Sequence, residues 1–106
     1  MSPGTSWKHD VFTEEGSTRI VLFGELDLRA VEQLRQVLKK ATEASGRVVA
    51  DLAAVSFIDS TIINVFIEAR NDATVSDRSF VVASPSPPVH RVLEVTGVLG
   101  FLTGSG

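Results

Sequence analysis

The chain has 106 residues, 43% of them hydrophobic, with no cysteine and a formal net charge of −3. That length and hydrophobic share describe one globular domain with its own core and exclude a disordered chain. The cysteine count excludes disulfides, thiolate metal sites and cysteine nucleophiles and fits a reducing compartment, while mild acidity without a basic stripe excludes the electrostatic footprint of a nucleic-acid binder.

Residues 1–6, with Pro3 and Gly4, read as a loose lead-in. Met1 to Asp10 is polar, unlike a secretory leader, and no apolar run reaches the ~18 residues of a membrane span. A cytoplasmic setting without membrane attachment is therefore expected. Trp7 to Phe12 reads as a short edge strand, and Glu14-Glu15-Gly16 as a hairpin turn. Ser17 to Phe23 holds the apolar block Ile20-Val21-Leu22-Phe23, which suits a strand covered on both faces. Gly24 is expected to break that strand, leaving Asp27 to cap a helix. From Leu28 to about Ser45 the apolar residues Val31, Leu34, Val37, Leu38 and Ala41 recur at helical spacing.

Arg47 to Leu52 reads as a second buried strand. The run Val55-Ser56-Phe57-Ile58 then stops at Asp59-Ser60-Thr61, and a second apolar run starts at Ile62. That pattern is a strand or loop, a cap, and a helix from Ser60 to about Asn71 or Ala73. Phe80 to Ala83 makes a third apolar strand. Ser86 is placed to cap a short helix opened by Pro87-Pro88 and ended by Gly97. Leu99 to Leu102 reads as a last short strand, and residues 103–106 as a tail. Apolar strands alternating with helices argue an α/β fold: one domain over residues 7–102, with a mixed four- to five-stranded sheet and about three helices.

The helix starts carry the chemistry. Ser60 and Thr61 sit at the positive end of a helix, where negative charge is favoured. A hydroxyl there either caps the helix or carries a phosphate whose oxygens free N–H groups would meet, and the residues alone leave both open. Asp27 has the same two readings, a cap or part of an acidic site. Helices that follow parallel strands start at one end of the sheet, so Asp27, Asp59, Ser60 and Ser86 are expected to be neighbours. Catalysis finds little footing. Ser60 with His90 and Asp59 or Asp27 would need a nucleophile elbow, and no Gly-x-Ser-x-Gly is present. Asp27 and Asp59 supply only two hard ligands for a metal, and no glycine-rich phosphate loop occurs. No enzyme activity, metal or cofactor is expected.

Taken together, Gly24-Glu25-Leu26-Asp27 before a helix, then a hydrophobic strand, then Phe57-Ile58-Asp59-Ser60-Thr61, resembles the STAS domain. The likeness runs from about Thr18 to Leu102, and Ser84-Pro85 opening a helix that ends near Thr96-Gly97 extends it. The closest type is the bacterial anti-sigma factor antagonist, or anti-anti-sigma factor. The resemblance implies a cytoplasmic, phosphorylation-switched regulator of transcription in a stress response. Such a protein binds an anti-sigma factor, usually a serine kinase of the histidine-kinase-like ATPase fold, and so frees a sigma factor. The kinase ends the binding by phosphorylating a serine, and a phosphatase reverses it. The matching serine here is Ser60, with Thr61 second, and Asp27 matches the acidic neighbour. Where the family usually has glycine and then a further small residue, this chain has Ile62 and Asn64, a departure expected to alter the dock or access to Ser60. The family's further C-terminal helix is expected to be missing. A monomer or weak dimer is the expected state. Two other readings stand beside this one: a STAS scaffold binding other STAS or sensor proteins, and a small-molecule or nucleotide sensor with a pocket near Asp27 and Ser86.

Overall fold

The computed structural model describes residues 7–104, so the expected lead-in over residues 1–6 and positions 105–106 of the expected tail lie outside it. Two strands open the fold as a hairpin. β1 (Trp7–Glu14) and β2 (Ser17–Leu26) pair antiparallel from Trp7 opposite Gly24 to Glu14 opposite Ser17. Gly16 in the connecting turn stands at φ 70°, a left-handed conformation that glycine adopts without steric cost. A 3-10 turn (Leu28–Ala30) then leads into α1 (Val31–Ala44) and β3 (Arg47–Ile58). α2 (Ser60–Val75), β4 (Ser79–Ala83), α3 (Pro87–Val95) and α4 (Leu99–Thr103) complete the chain.

The sheet runs β1-β2-β3-β4, with β2, β3 and β4 parallel and β1 antiparallel. Both crossovers step the same way across the sheet. Right-handed connections therefore put α1 and α2 on one face. Burial follows that geometry. Ile20 and Leu22, Val48 and Ala50, and Phe80 and Val82 alternate inward and are buried. The residues between them, Val21, Val49 and Val81, are only partly covered, and Arg19 before them is exposed. Leu34, Leu38 and Ala41 of α1 and Ile62, Val65 and Phe66 of α2 close the core. The rings of Phe66 and Phe80 stack across the helix–sheet boundary with centroids 6.2 Å apart.

Among the described residues the sheet has four strands, within the expectation, but there are four α-helices where about three were expected. The difference lies in Leu99–Thr103, which is a helix and not a strand. An apolar run this short carries no period that separates the two. Its Leu102 is fully buried, and Leu102 N–H donates to Val98 C=O at 2.9 Å. The helix packs against β4. There Arg70 of α2 donates to Phe80 C=O at 3.3 Å and sets its guanidinium 4.8 Å from the centroid of the Phe101 ring. A short C-terminal helix is thus present where none was expected.

Two strands also outrun their expected ends. β2 does not break at Gly24 but continues to Leu26, with Gly24 at φ 94°. β3 continues past Leu52 to Ile58. The register moves from Val21 opposite Asp51 to Phe23 opposite Ala54, and from Gly24 opposite Val55 to Glu25 opposite Phe57. Each step leaves one extra residue on β3, as a bulge does. Inward side chains therefore fall at Leu52, Val55 and Ile58, a spacing of three that hides the strand from a period-two reading.

Candidate functional site

β2 and β3 end side by side, with Leu26 paired to Ile58. The next residues, Asp27 and Asp59, therefore leave neighbouring strands that lie about 4.8 Å apart. Each has the extended backbone of a cap, at φ −128° and −113°. The expectation that the two helix starts share one end of the sheet holds for this pair. The Leu28–Ala30 turn packs against α2.

Asp59 caps α2. Its Oδ1 accepts from Thr61 N–H at 3.0 Å, from Ile62 N–H at 3.2 Å, and from the Thr61 hydroxyl. Asp27 caps the 3-10 turn, its Oδ1 accepting from Arg29 N–H at 2.9 Å. The Arg29 guanidinium folds back on the same carboxylate, with Nε 3.2 Å from Oδ1 and Nη2 2.9 Å from Oδ2. Hydrogen bonding to Arg29 holds the Asp27 carboxyl below the ordinary aspartate range, and the same contact raises Arg29.

Ser60 opens α2, is exposed, and its hydroxyl has no hydrogen-bond partner among the described residues. The cap is made by Asp59 alone, so Ser60 is not needed for it. Thr61 is half-buried, and its hydroxyl is spent on Asp59. One expectation is corrected here. The N–H groups of Thr61 and Ile62 are already taken by Asp59. A phosphate on Ser60 would lie beside that carboxylate and would not find those donors empty.

Ile62 is fully buried in the core cluster, while Asn64 is exposed. The isoleucine points inward from the first turn of α2, so its bulk fills the core and does not stand over Ser60. Ser86 departs from its expected role. It occupies the cap position of α3 without a side-chain cap bond. Its hydroxyl donates instead to Val55 C=O, and its N–H reaches Leu52 C=O at 3.3 Å. That fastens α3 to the bulged part of β3, where β4 has already ended at Ala83. Asp27, Asp59 and Ser60 are brought together; Ser86 is bonded to the strand leading to them.

Four further residues shape this end of the sheet. Leu28 and Phe57 are large apolar side chains left 67% and 48% exposed, one directly after Asp27 and one just before Ile58-Asp59. Asp51 and Arg19 act from a distance. Asp51 is buried, pairs with Arg19, and its Oδ1 accepts from Ala53 N–H at 2.9 Å across the first bulge. The sequence signal for Asp51 was the single charge inside the run Val48–Val55; nothing local announced its partner. Arg29 carried a fainter one, its place two residues after a capping aspartate.

Other sites fare less well. No group of three or more His, Asp or Glu able to hold a metal exists among the described residues. His9 stacks on Trp7 at 5.6 Å in β1, and His90 lies exposed on α3, so neither is bonded to Ser60. A groove of about 420 Å³ runs between α1 and α2, lined by residues such as Arg35, Lys39, Glu68 and Arg78. Asp27 and Ser86, the expected sensor pocket, are not among its walls. No described helix is long and apolar enough to cross a membrane.

Comparison with known proteins agrees with this architecture. A family model described as "Mlab, STAS domain" matches residues 10–103. The anti-sigma-B factor antagonist of Staphylococcus epidermidis is 30% identical over 91 residues, covering 85% of this chain and 80% of that one. Among solved structures, the anti-sigma factor antagonist SpoIIAA in its unphosphorylated form superposes with a TM-score of 0.75 at 28% identity, covering 92% of this chain and 84% of that one. The Bacillus cell fate determinant SpoIIAA in its phosphorylated form superposes with a TM-score of 0.72 at 25% identity, covering 91% and 88%.

Proposed function

Because the chain belongs to the STAS domain family, we propose that it is an anti-sigma factor antagonist switched off by phosphorylation of Ser60. One observation carries the reading. Ser60 is exposed at the start of α2, its hydroxyl has no partner among the described residues, and the capping work is done by Asp59. It stands among the apolar anchors Leu28 and Phe57 and the carboxylates Asp27 and Asp59. The curated relatives named as anti-sigma-B factor antagonists support the general role, and the SpoIIAA fold is known in both phosphorylation states.

The mechanism is electrostatic. Docking buries Leu28 and Phe57, each contributing up to roughly 1.5–3 kcal/mol. The first charge there, Asp27, is neutralised by Arg29. Phosphorylation adds roughly −1.5 to −2 charges beside Asp59, on a surface the partner must desolvate. A loss of about 1.4 kcal/mol already weakens binding tenfold. Release then needs no rearrangement inside the domain. The partner in this reading is a serine kinase of the histidine-kinase-like ATPase fold, a phosphatase resets the switch, and the chain itself catalyses nothing. The exchange takes place in the cytoplasm.

The test is phosphate transfer. Incubated with its anti-sigma factor and ATP, the wild-type chain should gain one phosphate and Ser60→Ala none. Equal labelling of the two proteins refutes Ser60 as the site. A chain that binds other STAS proteins and never an anti-sigma factor is a scaffold module instead.

A further inference from the structure

β1 ends the sheet, and among the described residues its outer side pairs with no other strand. On the other side of the sheet α4 packs against β4, and Arg70 donates to Phe80 C=O. Proteins normally shield a long edge strand, because its outward N–H and C=O groups are a template for another strand. β1 is eight residues long, contains no proline, and is exposed at every position from Asp10 to Glu14. Val11 is 50% exposed and Phe12 55%, adjacent residues on opposite faces of the ribbon. Nothing in the Ser60 mechanism uses them, and β2 separates this edge from β3.

The charges along the edge choose an occupant. A second copy joined by a two-fold axis normal to the sheet places β1 antiparallel to itself. Matching faces then meet only when one residue sits on the axis opposite its own copy. With the axis at Asp10, two carboxylates oppose each other. At Phe12, Asp10 faces Glu14. At His9, the overlap shrinks to Trp7–Val11. At Val11, the strands overlap from Lys8 to Glu14, and Lys8 faces Glu14 twice, once on each side of the axis. Val11 then meets Val11, His9 meets Thr13, and Phe12 lies over Asp10, with no like charges directly opposed.

We propose that two copies of this chain pair through the outer edges of β1, antiparallel about Val11, to form one continuous eight-stranded sheet. Each copy keeps its Ser60 end free, so the dimer presents two docking surfaces.

Sedimentation of the full chain over a concentration series tests this. Wild type should show a reversible monomer–dimer equilibrium. Lys8→Glu converts both attractive pairs into repulsions, each directly opposed pair being a known lever on strand pairing. It should weaken association about tenfold or more. Lys8→Glu combined with Glu14→Lys should restore it. Both side chains are exposed in the monomer, so the variants leave the fold intact. A wild type that stays monomeric at the highest concentration overturns the proposal. So does a dimer indifferent to Lys8→Glu, or a double variant that fails to recover.

Discussion

Replacing Asp59 with alanine separates the cap from the charge at the start of α2. One carboxylate oxygen serves three donors there: Thr61 N–H, Ile62 N–H and the Thr61 hydroxyl. Ile62 N–H keeps a second partner in Asp59 C=O at 3.1 Å, so the main orphan in Asp59→Ala is Thr61 N–H, at a half-buried residue. Loss of an N-cap costs about 0.5–2 kcal/mol, and the half-buried orphan places this site at about 1.5 kcal/mol. For a domain of this size that lowers Tm by roughly 6–12 °C. Asp59→Asn keeps an oxygen acceptor in the same place and gives up only the charge at the helix's positive end. Its cost should be about 0.3–1 kcal/mol. Urea denaturation of the three proteins, with a common m-value, measures both differences. The reasoning fails if Asp59→Asn loses as much as Asp59→Ala, or if Asp59→Ala loses less than about 0.5 kcal/mol. The asparagine variant then serves as the folded protein for asking what the charge contributes to partner binding.

Two further predictions follow from the polar groups. Asp51→Ala removes both the Arg19 pair and the acceptor for Ala53 N–H at the bulge, and should cost about 2 kcal/mol. Arg19→Ala leaves the Ala53 bond in place, and since Arg19 is more than half exposed it should cost about 1 kcal/mol or less; equal losses in chemical denaturation would contradict this ranking. At Asp27 the folded carboxyl lies below its ordinary value of 3.8 because Arg29 binds it, so ionised Asp27 favours the folded state at higher pH. The stability gap between wild type and Asp27→Asn should hold steady above about pH 5 and close as pH falls below about 4 toward the folded value. A gap unchanged down to acid unfolding would remove Arg29 from the account.

Much of the site was legible because its signals are local. Asp before Ser-Thr and an apolar run is a cap by side-chain reach alone, and Asp27 after a strand is the same device. What could not be read was which group does which job. Ser60, Thr61 and Ser86 all carry hydroxyls that can bond nearby backbone. Only the placement of Asp59 over Thr61 and Ile62, and of Ser86 against Val55, distributes those bonds. Ile62 looked like an obstacle at the docking surface because a linear comparison marks a difference without its direction. The helix turns that side chain into the core.

By itself, then, the sequence determined the alternation of strands and helices, the hairpin, the two aspartate caps and the serine beside one of them. Each is decided within a few residues, by spacing and capping chemistry. Tertiary structure decided the rest. The bulges of β3 exist only against β2, and they shift its inward residues to a spacing of three and bring Ile58 level with Leu26. Arg19 reaches Asp51 across strands, and α4 is a helix because Leu102 has a core to enter. These depend on which strand lies beside which, and sheet pairing joins residues that no local window holds together.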